Sequence, residues 1–264
     1  MPPDEACRPL EPGKWTVRAL LPQPRSQVDL LAAYAVPDSA RGDRSFVRCN
    51  MVSTLDGAIA VQGRSGSLGS PGDRRVFGVL RSLADVILVG AGTARAEGYG
   101  PARLGDELRA RRVERGQSDA PPIAVVTGTG ELDGRTPFFA DAVEPPIVLT
   151  TELGAAAAHR SVGDVARVRV AGANRVDPVR ALDELNRLGH RHVLLEGGPG
   201  LNGDLVRAGL LDELCLTLSP RLVAGAGPRV LAGPELASPL DLDVVHLLEE
   251  DGFLFWRLVV RRRD

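Results

Sequence analysis

From residue 46 onward, short apolar runs alternate with polar and glycine-rich breaks. Strand-like runs fall at Phe46–Val52, Val86–Val89, Ile123–Thr127, Ile147–Thr150, Val168–Val170 and Val193–Glu196. Glu213–Leu218, Val244–Glu249 and Phe253–Val260 continue the series. Helical patterns lie between many of them, and strands alternating with helices predict an α/β fold with a mainly parallel sheet and crossover helices. The end differs. "VVHLLEEDGFLFWRLVV" is two apolar runs around Asp251-Gly252, which predicts a C-terminal antiparallel hairpin and makes the sheet mixed. Such an edge commonly closes a mixed sheet or pairs with a second subunit.

One helix has unusually complete signals. In "GSPGDRRVFGVLRSLAD", Ser70 is a good N-cap, Pro71 fits the first helical position and Asp73 suits the dipole. Val76, Phe77, Leu80, Leu83 and Ala84 then recur at helical spacing as one stripe, with Arg74 and Arg81 along its edge. The stretch "DELRARRVERGQSD" (106–119) mixes charges of both signs and predicts a solvated helix. Residues 1–43 are rich in proline, with a short helix expected around Val28–Tyr34. They are expected to form an arm over a domain spanning residues 44–264. In "RCNMVSTLDGAIA" (48–60), Asp56-Gly57 between two apolar runs signals a tight turn.

Composition narrows the class. The 264 residues can bury a full core, and 44% apolar and 25% charged residues are ordinary globular values. Aromatics are only 4%, so the core must rest mainly on Val, Leu, Ala and Ile. A net charge of −2 gives no general attraction to nucleic acid or anionic lipid. No apolar run reaches membrane-spanning length, and "MPPDEACRPLEPGKW" lacks the features of a signal peptide, so a cytoplasmic protein is expected. Cys7, Cys49 and Cys215 include no CxxC pair, and the four histidines form no ligand pattern with them. No metal site is expected, which argues against a zinc deaminase.

Four strands end in glycine turns: "ILVGAGT", "VVTGTG", "LLEGGPG" and "LVAGAG". Glycine lets a backbone approach a ligand, and a helix starting there points N–H groups at an anion. The best of them is "VLLEGGPGLNGDLVRAGLLDE", a strand ending at Glu196, a glycine turn and a helix expected over Asn202–Leu210. It is a phosphate cradle without the GK[ST] of a P-loop. "VGAGTARAEG" is a weak dinucleotide fingerprint, because Arg95 stands where a third glycine belongs.

Together, "NMVSTLDGAIA", "RSLADVILVGAGTARAEGYGPAR" and "LLEGGPGLNGDLVRAGLLDELCLTLSPRLVAGAG" resemble the riboflavin-pathway pyrimidine reductases, over roughly residues 46–260. That resemblance implies the dihydrofolate-reductase-like fold, NADPH as cofactor and reduction of a ribosylaminopyrimidine 5′-phosphate to its ribityl form. It implies a reductase alone, since the N-terminal arm is too short for a deaminase and lacks its ligands. By position, Thr93, Glu97 and Thr127 would face the cofactor, with Gly198, Gly200, Leu201, Asn202, Gly203 and Asp204 holding its pyrophosphate. Arg81 and Arg103 would bind the substrate phosphate, assisted by Ser65 or Ser67, and Glu196 would contact the substrate. Asn50 stands where bacterial members usually carry lysine. Asparagine can orient a sugar hydroxyl but cannot supply an ammonium proton. Leu68 occupies the region where those members often place tryptophan. Asp56 is read as a turn residue rather than a proton donor.

Two other functions compete. A pterin or dihydrofolate reductase on the same fold would have no use for a phosphate clamp. A nucleotide-binding regulator without catalysis would not need Glu196 and both arginines. A small phosphorylated pyrimidine, no nucleic acid, no membrane and a homodimer through the C-terminal hairpin complete the expectation.

Overall fold

The computed structural model describes residues 17–37, 40 and 42–262. Its first elements are β1 (Arg18–Leu21), α1 (Leu30–Ala33), β2 (Phe46–Thr54), α2 (Pro71–Leu83), β3 (Val86–Gly90) and α3 (Ala91–Glu97). The middle of the chain forms α4 (Asp106–Glu114), β4 (Ile123–Val126), α5 (Pro137–Ala140), β5 (Ile147–Thr150), α6 (Glu152–Val162) and β6 (Arg167–Val170). Then come α7 (Pro178–Arg187), β7 (His192–Leu195), α8 (Pro199–Arg207), β8 (Glu213–Ser219), β9 (Leu242–Glu250) and β10 (Phe253–Val260).

Among the described residues the strands make one sheet, ordered β1-β9-β10-β8-β2-β7-β3-β4-β5-β6. Neighbours from β8 to β6 run parallel, whereas β1, β9 and β10 join antiparallel. The fold is therefore α/β with a mostly parallel mixed sheet, as the alternating pattern predicts. Strands covered on both faces read as unbroken apolar runs. In β3, Ile87 and Val89 enter the core shared with α2 and α6, while Val86 and Leu88 enter the core shared with α7 and α8.

The signals for α2 act as read. The Ser70 hydroxyl accepts from the Asp73 amide at 3.0 Å, Pro71 opens the helix, and Val76, Val79 and Leu80 are buried. Helix α8 starts at Pro199, three residues before the expected Asn202, because proline is well placed in a first turn whose N–H groups have no intrahelical partner.

Two readings need correction. The hairpin does form, but β10 lies between β9 and β8, so it is not the edge of the sheet. The edge on that side is β1, which the sequence reading missed: Ala19 faces Leu248 of β9, and a register break follows before Leu21. So short a strand carries little local signal, and its partner decides it. The segment is also tied down by charge. Glu213, fully buried, pairs with Arg48 and Arg257. Arg48 donates to the Tyr34 carbonyl at 2.8 Å, and Arg257 to those of Ala33 and Ala35 at 2.6 and 3.1 Å. These cations satisfy carbonyls at the end of α1 that have no intrahelical partner.

Chain direction in the sheet reverses at the β3/β7 boundary. From β3 the chain moves outward to β4, whereas from β7 it returns through α8 to β8 on the other side. Such a switch point leaves a crevice at the carboxyl ends of the strands. Here the Gly90 amide donates to the Gly197 carbonyl at 2.8 Å and draws the two strand ends together.

Candidate active site

A cleft of about 510 Å³ opens at this switch point, between α2, the end of β2, α3 and the start of α8. Its centre is a carboxylate. Glu196 follows β7 and is buried, and its two oxygens accept from Arg81 Nε at 2.8 Å and Nη2 at 2.7 Å. The Tyr99 hydroxyl donates to the second oxygen at 2.7 Å. Burial alone would lower the Arg81 pKa, but the Glu196 charge and hydrogen bonds hold it above its usual value. Burial and then the Glu196 charge push Tyr99 well up, so its proton stays on the oxygen. The Arg81 guanidinium also stacks on Phe77, 4.1 Å from the ring centroid. Burial drives the nearby Cys49 thiol up to about 12, with Glu196 adding to it, which leaves Cys49 inert.

Asn50, Ser65, Thr93, Glu97 and Gly198 line the same cleft as Arg81 and Glu196. Thr93 sits against Gly198 so closely that a Cβ on Gly198 would collide with its hydroxyl. Glu97 accepts from the Ser65 amide at 2.8 Å, so it fastens the loop that roofs the cleft. Gly198 is the N-cap of α8 and puts no side-chain cap on the first amides, and the space where a Gly200 side chain would stand is open. Its N-terminus therefore faces the cleft with donors suited to an anion.

Other expected residues stand elsewhere. Arg103 and Ser67 are not among the residues lining the cleft. The Ser67 carbonyl accepts from Arg221. Asn202 is fully buried and donates to the Val230 carbonyl at 2.9 Å, and Gly203 packs against the Ala232 carbonyl, so both seat the following loop on α8. Asp204 pairs with Arg175 and Arg207. With Leu201 it lines a separate groove of about 240 Å³ beside Val126 and Gly128. Thr127 is buried at the mouth of that groove's strand, and its hydroxyl accepts from the Gly130 amide at 3.2 Å.

Asp56 has the structural role expected of it. Its carboxylate accepts from the Thr54 hydroxyl and from the Ala224 and Val223 amides at 2.7 and 3.0 Å, which lowers its pKa to about 2. "TLDG" is thus a turn that pins a second loop beside the cleft.

Three polar side chains of the cleft lining were given no ligand role from sequence: Tyr99, Arg74 and Asp73. Tyr99 lies in a glycine-rich loop whose path cannot be read locally. Asp73 was read as a first-turn residue and Arg74 as lying along the edge of the α2 stripe, and only the packing of α2 on the sheet brings them to the cleft.

No helix among the described residues is long and apolar enough to cross a membrane, and no cluster of His, Cys, Asp or Glu there could hold a metal.

Residues 45–251 match the family model described as RibD C-terminal domain. A 2,5-diamino-6-ribosylamino-4(3H)-pyrimidinone 5′-phosphate reductase of Methanothermobacter thermautotrophicus is 30% identical over 192 residues, 73% of this chain and 85% of that one. The reductase of the same name from Archaeoglobus fulgidus is 28% identical over 212 residues, 80% of this chain and 96% of that one. Among solved structures, a pyrimidine reductase-like protein from Corynebacterium diphtheriae superposes with a TM-score of 0.79 at 25% identity. That likeness covers 89% of this chain and 100% of that one. The family match spans β2 to β9 and every side chain described around Glu196, and the chain therefore belongs to the RibD C-terminal domain family, as an oxidoreductase of the pyrimidine reductase type.

Proposed function

We propose that this enzyme is a cytoplasmic, NADPH-dependent reductase that converts the ribosyl group of a ribosylaminopyrimidine 5′-phosphate to a ribityl chain in riboflavin biosynthesis. The observation that carries the reading is one cleft holding both an uncapped helix start and a buried carboxylate bonded by Arg81 and Tyr99. The names of the curated relatives support the substrate class.

The residues present fit a dinucleotide. The open first turn of α8, Gly198 and the Thr93 hydroxyl would hold its pyrophosphate, and the groove by Leu201 and Gly128 continues along the same strand ends. When bound, the nicotinamide supplies hydride. The chain's own residues orient and polarise. Asn50, on β2, can hold a sugar hydroxyl by donating or accepting. Glu196, held by Arg81 and Tyr99, is an acceptor for a further substrate hydroxyl. Arg103 lies outside the cleft lining and Glu196 takes two nitrogens of Arg81, so the phosphate falls to Arg74, exposed on the cleft wall, together with Arg81.

The same reading includes a homodimer. Leu216 and Leu218 of β8 stand beside Trp256 and Leu254 of β10, half-buried on one sheet face. An apolar face of that kind suits a second copy.

Mass spectrometry of the product tests the reading. The phosphorylated pyrimidine incubated with enzyme and NADPH should gain one hydride at C1′ of the sugar and one proton on O4′, released as the C1′–O4′ bond breaks. Reduction of the ring, or an unchanged substrate, contradicts it.

A further inference from the structure

The cleft contains a second carboxylate that the scheme above leaves unused. Asp73 lies in the first turn of α2 and lines the cleft on the side of β2. Unlike Glu196, it is bonded by a hydroxyl rather than a guanidinium: the Thr217 side chain hydrogen-bonds it, with the Arg74 charge nearby. Thr217, on β8, is buried and stands in register beside Val52, another cleft residue. Registered neighbours project from the same sheet face, so Thr217 supports Asp73 from below the cleft floor. Gly69 makes room for the carboxylate, since a Cβ there would stand 2.5 Å from Asp73 Oδ2. Burial pushes the Asp73 pKa up, more than the Thr217 hydroxyl and Arg74 bring it down. A carboxylate with one hydroxyl donor has acceptor sites to spare, and a ligand that brings N–H groups would stabilise its charged form.

We propose that Asp73, positioned by Thr217 and Gly69, is the residue that reads the pyrimidine ring and selects a 2-aminopyrimidin-4-one over its 2-oxo counterpart. This rests on the pyrimidine reductase reading and deepens it. A 2-amino-4-oxo ring carries the exocyclic amino N–H and the N3–H side by side, and the two carboxylate oxygens can accept both. The deaminated ring presents a carbonyl oxygen in place of the amino group. One bond is then lost, and two oxygens are forced together in a poorly solvated site. The preference is set by an attraction to one ring and a repulsion from the other. Arg74, next in the chain and also on the cleft wall, would stand near the same substrate, which fits a phosphorylated pyrimidine as the ligand.

The test compares kcat/KM for the 2-amino and 2-oxo ribosylaminopyrimidine 5′-phosphates in the wild type and in Asp73→Asn. The wild type should favour the 2-amino compound by at least about tenfold, the worth of one charged hydrogen bond. The carboxamide replaces one acceptor by a donor, which suits the 2-oxo edge. Asp73→Asn should therefore shift the ratio about 10- to 100-fold toward the 2-oxo compound, a change that general damage to the fold would not produce. A ratio unchanged within about twofold overturns the assignment. A measurement on the unaltered enzyme runs beside it: 2,5,6-triaminopyrimidin-4-one should compete for the site at least about tenfold better than 5,6-diaminouracil, and equal competition overturns the proposal. If the wild type reduces both phosphates alike, the Asp73 assignment fails alone. If it reduces neither, the pyrimidine reading fails and the assignment with it.

Discussion

Arg81 and Glu196 meet fork to fork across the cleft, with Nε and Nη2 donating to the two carboxylate oxygens at 2.8 and 2.7 Å. The pair is largely buried, with side chains 13% and 2% exposed. Removing one partner of a buried pair strands the other charge. Arg81→Ala should therefore cost about 3–5 kcal/mol of stability as well as activity. Arg81→Lys should recover little, because an ammonium cannot make both bonds. Arg74→Ala separates the two effects. Arg74 is exposed, so folding should be nearly unchanged while kcat/KM for the phosphorylated substrate falls about 10- to 150-fold. Urea denaturation together with steady-state kinetics checks both. Full activity in Arg74→Ala would remove it from the phosphate site.

NADPH should stabilise the protein more than NADH at matched concentration. The groove at the end of β4 is lined by Arg175 and Gly128, and the Thr127 and Thr129 hydroxyls lie in the same turn. These groups can receive a 2′-phosphate. Thermal shift follows affinity. Equal shifts with the two cofactors would contradict the preference.

Stability should climb with pH across the acid range because of His246. It packs edge-on to Tyr34 at 4.8 Å, and the charges around it are Arg257, Glu213 and Arg48. Burial, then the Arg257 charge, lowers its pKa from 6.5 to about 4. Between those values the unfolded chain binds more protons than the folded one, so acidification favours unfolding. The urea midpoint should fall as pH drops through this window, and His246→Phe should flatten that part of the curve. An identical slope in the variant would show that other groups carry it.

The protein should sediment as a dimer at micromolar concentration, and Trp256→Arg should shift it toward monomer with the fold intact. Trp256 lies at the centre of the half-buried face, between Leu216 and Leu247 in the sheet register. A wild-type monomer would contradict this.

Much of the frame was legible because periodicity reports burial. Ile147–Thr150 and Phe253–Val260 were read to the residue, and the capping signals at Ser70 and Pro71 located α2. Non-local arrangement was not. Nothing in "FLFWRLVV" says whether a strand is at an edge or inside, since that depends on its pairing with β8, while β1, a four-residue strand, covers the outer side of β9. The cleft shows the same division. Glu196 and Arg81 were singled out from sequence and line one cleft, but their direct pairing was not legible, because they are far apart in sequence. Asn202 and Gly203 matched a ligand motif, and their contacts with the loop at Val230 and Ala232 could not be read from it. Asp73 was visible as a helix-start residue, and only the sheet beneath it reveals Thr217 as its partner.

The most direct test of the proposed activity is NADPH oxidation followed side by side with a ribosylaminopyrimidine 5′-phosphate and with dihydrofolate. The structure places Arg74, Arg81 and the Glu196 carboxylate on one cleft, an arrangement with a use for a phosphorylated sugar. Oxidation should proceed with the pyrimidine phosphate, yield the ribityl product, and be at background with dihydrofolate. Turnover of dihydrofolate with none of the pyrimidine would contradict the account.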